Sequence, residues 1–170
     1  PLHEPAPRAG RAAGGEVVID GGSFMMGTDD EPWAYDNERP AHEVELAPFR
    51  VDRLPVTNAE FKRFVDAGGY SARECWKQRF LREGKELSFE EAISQFRDMT
   101  GRPGPSTWEA GTYPDGMGDY PVAGVSWYEA AAYAEFAHKS LPTVSHWYTA
   151  LGLGANGQIV EMSNFGGKGP

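Results

Sequence analysis

Apolar residues along this chain come in short bursts. Glu16 to Ile19 is a β-branched run closed by Asp20-Gly21-Gly22, and Ser23 to Gly27 resumes an apolar run that stops at glycine. Two such runs around a turn predict a hairpin. Residues 28–40 are a polar loop with an acidic start. In His42-Glu43-Val44-Glu45-Leu46 the apolar positions alternate, the period-two signature of a half-buried strand. Phe49, Val51 and Leu54 continue it past Pro48, which marks a bend or an edge position.

The helical period then takes over. Thr57-x-x-Glu60 is a capping box, in which the hydroxyl accepts from one orphan N–H and the carboxylate reaches back to another. Phe61, Phe64 and Val65 form its apolar stripe, and Gly68-Gly69 supplies the left-handed stop. Ser88-x-x-Glu91 repeats the box, with Phe89, Ala92, Ile93 and Phe96 behind it. Ser126-x-x-Glu129 is a third and opens the clearest helix. There Trp127, Ala131 and Ala134 are expected inward, and the alanines let a neighbour approach closely. Thr143 starts a last helix with Trp147, Ala150 and Leu151 inward and Gly152 as its stop. Between these helices, residues 101–121 form a long Gly/Pro-rich segment carrying Trp108, Tyr113 and Tyr120. Long loops of this kind are functional or form a packed surface layer. The pattern is α+β, with short strands, capped helices and much loop.

Composition narrows the function classes. The 170 residues include 21 Gly and 13 Pro, which excludes long-helix bundles and coiled coils. Twelve per cent aromatics argue for a packed fold over disorder. The net charge of −9 repels phosphate backbones, so nucleic acid is not an expected partner. No apolar run reaches the length of a membrane helix, so no membrane partner is expected. The single Cys75 cannot close an internal disulfide. Residues 1–15, rich in Pro, Ala, Arg and Gly, read as a linker from an upstream domain.

The literal residues carry a resemblance. Gly22-Ser23-Phe24-Met25-Met26-Gly27, Glu38-Arg39-Pro40-x-His42-x-Val44 and Pro55-Val56-Thr57-Asn58-x-Glu60-Phe61-x-x-Phe64-Val65 follow one another in order. Tyr120-Pro121-Val122-x-Gly124-Val125-Ser126-Trp127-Tyr128-Glu129-Ala130 and Leu141-Pro142-Thr143 complete the succession. Residues 16 to about 165 thereby resemble the sulfatase-modifying-factor family. That family includes the formylglycine-generating enzyme and the C-terminal domain of the ergothioneine-pathway sulfoxide synthase. The resemblance implies a C-type-lectin-like, loop-rich α+β fold with short antiparallel strands and two main helices. The family's downstream Gly-Asn-x-x-Glu-Trp and Gly-Phe-Arg segments are not found, so residues 16–170 are expected to be an incomplete, C-terminally truncated domain. The resemblance also implies a carboxylate where His146 stands, so the last cap is expected to be weakened.

The chemistry it implies is not carried onto these residues. A cysteine pair holds copper in the formylglycine-generating enzyme, and Cys75 does not occupy a matching position. The sulfoxide synthase takes its iron ligands from a separate N-terminal domain. No catalytic residue, metal ligand or cofactor is therefore assigned here. Cys75 is read as a small buried hydrophobe, although Arg73 is a candidate to lower its pKa. His42, His138 and His146 match no metal-site spacing. Asp29, Asp30, Glu31, Asp36 and Glu38 lack a calcium-loop pattern and read as a solvated face. Trp108, Tyr113 and Tyr120 are the candidate ligand-binding residues, since aromatics offer large contact area with a polar handle. The expected function is a non-catalytic module binding a peptide, a protein or a small polar ligand, joined to an upstream domain such as a Ser/Thr kinase. The alternative is the scaffold part of a formylglycine-generating-type copper oxidase or an iron-dependent sulfoxide synthase.

Overall fold

The computed structural model describes residues 15–151. Among them are six short strands, all paired antiparallel, and four α-helices, the mixed α+β class expected. They divide into two compact units: Leu54–Leu141, and Gly15–Arg53 together with residues 142–151.

In the unit built on Gly15–Arg53 the expected N-terminal hairpin does not form. β1 (Glu16–Ile19) pairs with β4 (Phe49–Asp52), and β2 (Gly22–Met26) pairs with β3 (His42–Leu46). Ile19 faces Phe49 and Gly22 faces Leu46, so both ribbons keep one register. They are a single antiparallel pair interrupted opposite Ala47-Pro48. Pro48 has no N–H to give to a ladder. Across the gap, a Cβ on Gly21 would lie 2.2 Å from the Leu46 carbonyl oxygen, so only glycine lets the strands pass. Asp20-Gly21-Gly22 is thus a break within one long strand rather than a reversal. The chain turns back instead through residues 27–41, where Thr28 N–H donates to the Glu38 carbonyl at 2.9 Å. Of the expected linker only Gly15 is described, and its carbonyl accepts from Arg53 N–H at 2.9 Å.

α4 (Val144–Leu151) packs on β3, with the His146 ring edge-on to Phe49 at 4.7 Å. Trp147 and Ala150, expected inward, are exposed. The expected roles of the Leu151 side chain and of Gly152 fall outside what the structure describes. Thr143 caps this helix together with His146. His146 N–H donates to Thr143 Oγ1 at 3.3 Å, and the His146 ring Nδ1 meets the same hydroxyl at 2.6 Å.

In the unit Leu54–Leu141 all three capping boxes form. They open α1 (Asn58–Asp66), α2 (Phe89–Ile93) and α3 (Trp127–Phe136). Phe61 and Phe64 are buried as expected, and Gly68 takes the left-handed stop at φ +78°. A hairpin of β5 (Phe80–Arg82) and β6 (Lys85–Leu87) turns at Glu83-Gly84, both with positive φ. That is the type I′ geometry, usually signalled by Asn-Gly or Asp-Gly. The core is largely aromatic: Phe61, Phe64, Tyr70, Trp76, Phe80 and Trp108, with Ala92 and Ala132. The inward face of α3 agrees with expectation at Ala134 and differs at Trp127. Glu129, Ala132 and Ala134 are buried, while Trp127 is 58% exposed. Trp127 shares a face with Ala134, seven residues on, but stands in the helix's first turn on the wall of an open cleft. No helix among the described residues is long and apolar enough to cross a membrane.

Candidate functional site

The three candidate aromatics are placed by the N-terminus of α1. Trp108 is not on a groove wall; it is 1% exposed and fills the core. Its Nε1–H donates to Asn58 Oδ1 at 2.9 Å, and Asn58 Nδ2 in turn donates to the Met117 carbonyl at 2.9 Å. Two N–H groups that a helix start leaves without intrahelical partners also go to this loop, Asn58 to Tyr120 O and Ala59 to Gly118 O, each at 2.9 Å. Tyr113 is half-buried with its ring edge-on to Trp108 at 5.4 Å, and Tyr120 is half-buried beside Pro121, which bridges to Thr57. The indole is inward because its one N–H donor finds a buried amide acceptor.

The rest of the long loop is organised by Asp98, a residue that sequence reasoning passed over. Its carboxylate accepts from Thr100 N–H at 2.8 Å, Thr100 Oγ1–H at 2.9 Å, Arg102 N–H at 2.9 Å and Gly111 N–H at 2.7 Å. Burial alone would push this carboxyl up. The bonds from Gly111, Arg102 and Thr100 outweigh it and bring the pKa from the usual 3.8 down to about 2. Asp98 therefore stays ionised and pins three turns of irregular backbone. An isolated aspartate before a Gly/Pro-rich stretch carries no spacing signal that would have revealed this.

A second buried carboxylate sits on α3. Glu129 accepts from Ser126 N–H at 2.7 Å through one oxygen and from Tyr70 Oη–H at 2.6 Å through the other. Burial first, and the Glu129 carboxylate next, push the Tyr70 phenol far above its ordinary range. Among the described residues every fully buried side-chain polar atom has a hydrogen-bond partner.

The open surface of this unit carries a cleft of about 200 Å³ between the Cys75–Phe80 segment and α3. Trp127 and Tyr128 form one wall, Ala131 and Ala134 lie on the helix side, and Lys77 pairs with Glu135 there. The small helix residues leave room at this face, as their sequence implied. Cys75 also lines it. Burial, then Glu74 and Glu135, raise the thiol pKa against the opposing pull of Lys77, so Cys75 is held as a thiol. Arg73 does not act on it as expected. Its guanidinium lies over the Phe89 ring at 5.4 Å and 4.0 Å from Glu90. Among the described residues no group of three or more His, Cys, Asp or Glu could hold a metal ion, so His42, His138 and His146 do not converge.

Residues 2–168 match the Sulfatase-modifying factor enzyme 1-like domain. Over 148 residues the chain is 40% identical to the hercynine oxygenase of Mycolicibacterium smegmatis, covering 86% of this chain and 33% of that protein. It is 36% identical over 166 residues to the formylglycine-generating enzyme of Streptomyces coelicolor, covering 88% and 51%. It is 34% identical over 157 residues to the inactive C-alpha-formylglycine-generating enzyme 2 of Mus musculus, covering 87% and 50%. The chain spans between a third and a half of the length of these relatives. The ordered motifs, the capped α+β units and the match across nearly the whole chain agree: this chain belongs to the sulfatase-modifying-factor family.

Proposed function

We propose that this chain is the scaffold and ligand-positioning part of an oxygenase of the hercynine-oxygenase type, and that its described residues supply binding surface rather than reacting groups. The observation that carries the reading is the 40% identity to a hercynine oxygenase over 148 residues. The geometry supports a scaffold role. Asp98, Glu129, Asn58 and Trp108 are each consumed in holding loops to helices. Buried networks of this kind, fully satisfied, rigidify the loops around a site. The C-type-lectin-like arrangement belongs to this proposal, as do the half-buried Tyr113 and Tyr120 as ligand contacts. The test is oxygen uptake by the parent protein supplied with iron(II) and hercynine, beside a parallel assay with a cysteine-containing peptide. Hercynine-dependent uptake supports the reading. Peptide-dependent oxidation alone would move the assignment to the formylglycine-generating branch.

A second reading is a binding module without turnover, for a peptide, a protein or a small polar ligand. The exposed Trp127 beside the α3 cleft favours it, because a large aromatic on an open cleft wall is a natural anchor. Similarity to a mouse relative named as inactive is compatible with it. In this reading an upstream domain such as a kinase would be expected in the same protein. Absence of oxygen uptake with either substrate, together with ligand-dependent protection of Trp127 fluorescence from quenching, would favour this second reading.

A further inference from the structure

We propose that Trp76, Tyr70 and Glu129 form a redox relay in which an oxidising equivalent arriving at Trp76 ends as a phenoxyl radical on Tyr70, its proton held by Glu129. Three features of the unit Leu54–Leu141 place these groups together. Tyr70 and Trp76 are 4% and 7% exposed, and their rings lie 5.7 Å apart between centroids. The phenol donates to Glu129 Oε1 at 2.6 Å, and Glu129 is itself 3% exposed. Trp76 continues toward the surface through Phe80 at 6.0 Å and Tyr128 at 5.0 Å beyond it, and Tyr128 meets the exposed Trp127 at 5.4 Å. An aromatic succession, with the redox-inert Phe80 between Tyr128 and Trp76, thus runs from an open cleft wall to a buried phenol.

The hydrogen bond decides where the charge stops. Oxidising a phenol requires loss of a proton, and a buried phenol without a base cannot release one. Here the base is already in contact. The Tyr70 proton stays on oxygen at rest, because burial and the neighbouring carboxylate oppose simple ionisation. A one-electron oxidant generated in oxygen chemistry takes an electron from the Trp76 indole and is reduced. Tyr70 then returns an electron to the indole, and its proton crosses to Glu129 Oε1. The products are a restored indole, a neutral phenoxyl radical and a neutral carboxylic acid. One electron from a cellular reductant reverses it, the proton on Glu129 returning to the Tyr70 oxygen. Such a sink would protect an oxygen-handling protein from misdirected oxidation. The relay rests on the oxygenase reading only for the natural source of the oxidant.

The experiment does not need that source. Cys75 is the chain's one cysteine, is partly exposed and adjoins Trp76, so it accepts a thiol-reactive ruthenium polypyridyl photo-oxidant. Flash-quench with persulfate on the full chain, read by transient absorption and electron paramagnetic resonance, should show an indole radical that converts to a tyrosyl radical. The conversion should be slower in D2O than in H2O. Y70F should lose the tyrosyl signal and leave the indole radical, and E129Q should do the same because an amide cannot take the proton. W76F should lose both. A tyrosyl signal that survives Y70F, or a conversion with the same rate in D2O and H2O in the unmutated chain, overturns the proposal. The isotope comparison stands even if a variant fails to fold. Absence of hercynine-dependent oxygen uptake by the parent would sink the oxygenase reading and leave the relay intact.

Discussion

Replacing Asp98 by Asn should release the long loop without unfolding the helices around it. The substitution keeps the volume and one acceptor but removes the charge, and its amide group must face one of the donors now served. Those donors are Thr100 N–H, Thr100 Oγ1–H, Arg102 N–H and Gly111 N–H, at 2.7–2.9 Å. The pKa held at about 2 against 3.8 gives the scale. A depression of this size corresponds to about 2 kcal/mol of extra stability for the ionised form. The sign follows from the direction. The folded pKa is depressed, so the contribution is complete above about pH 4 and is lost as pH falls through about 2. Amide hydrogen exchange reads this loop directly, because local opening is measured separately from global unfolding. Protection at Arg102 and Gly111, corrected for intrinsic rates, should drop roughly thirtyfold in D98N near neutrality. The difference between the two proteins should shrink as pH is lowered toward 2. Unchanged protection in D98N, or a difference that persists undiminished at low pH, would refute the reasoning.

Three further outcomes follow from the same packing. W108F leaves Asn58 Oδ1 without its donor and opens a small void, so it should cost about 3 kcal/mol in denaturant unfolding, whereas W127F should stay within about 0.5 kcal/mol; equal costs would contradict the assignment of one indole to the core and the other to the surface. G124A should destabilise by about 2 kcal/mol in the same measurement, since φ is +74° and the new Cβ would meet Ser106 and Thr107 at 2.7 Å; a neutral substitution would show that this turn can relax. Y70F deprives the buried Glu129 of one donor and should lower stability by about 1–3 kcal/mol, with the loss disappearing in the Y70F/E129Q double variant if the two side chains act as a unit; additive losses in a thermodynamic cycle would show that they do not.

What the sequence disclosed, and what it withheld, divides along the range of the interactions. Each capping box is decided within four residues, so Thr57, Ser88 and Ser126 were legible and all three form. Strand pairing is decided across the chain. Ile19 finds Phe49 and Gly22 finds Leu46 because Pro48 interrupts a long ribbon, and a local turn signal at Asp20-Gly21-Gly22 points instead to a hairpin that does not exist. Two aromatic placements escape a local reading for the same reason. Trp108 in a loop and Trp127 in a helix look exposed and buried respectively until their partners are known. Asn58, fifty residues before Trp108, draws that indole inward, while Trp127 stands on an open cleft wall. The placement of Trp108 rests on a single buried polar acceptor reached over a long separation. Polar groups that must be satisfied on burial therefore decide which aromatics this fold can offer to a ligand, and any search for its binding surface should begin from those acceptors.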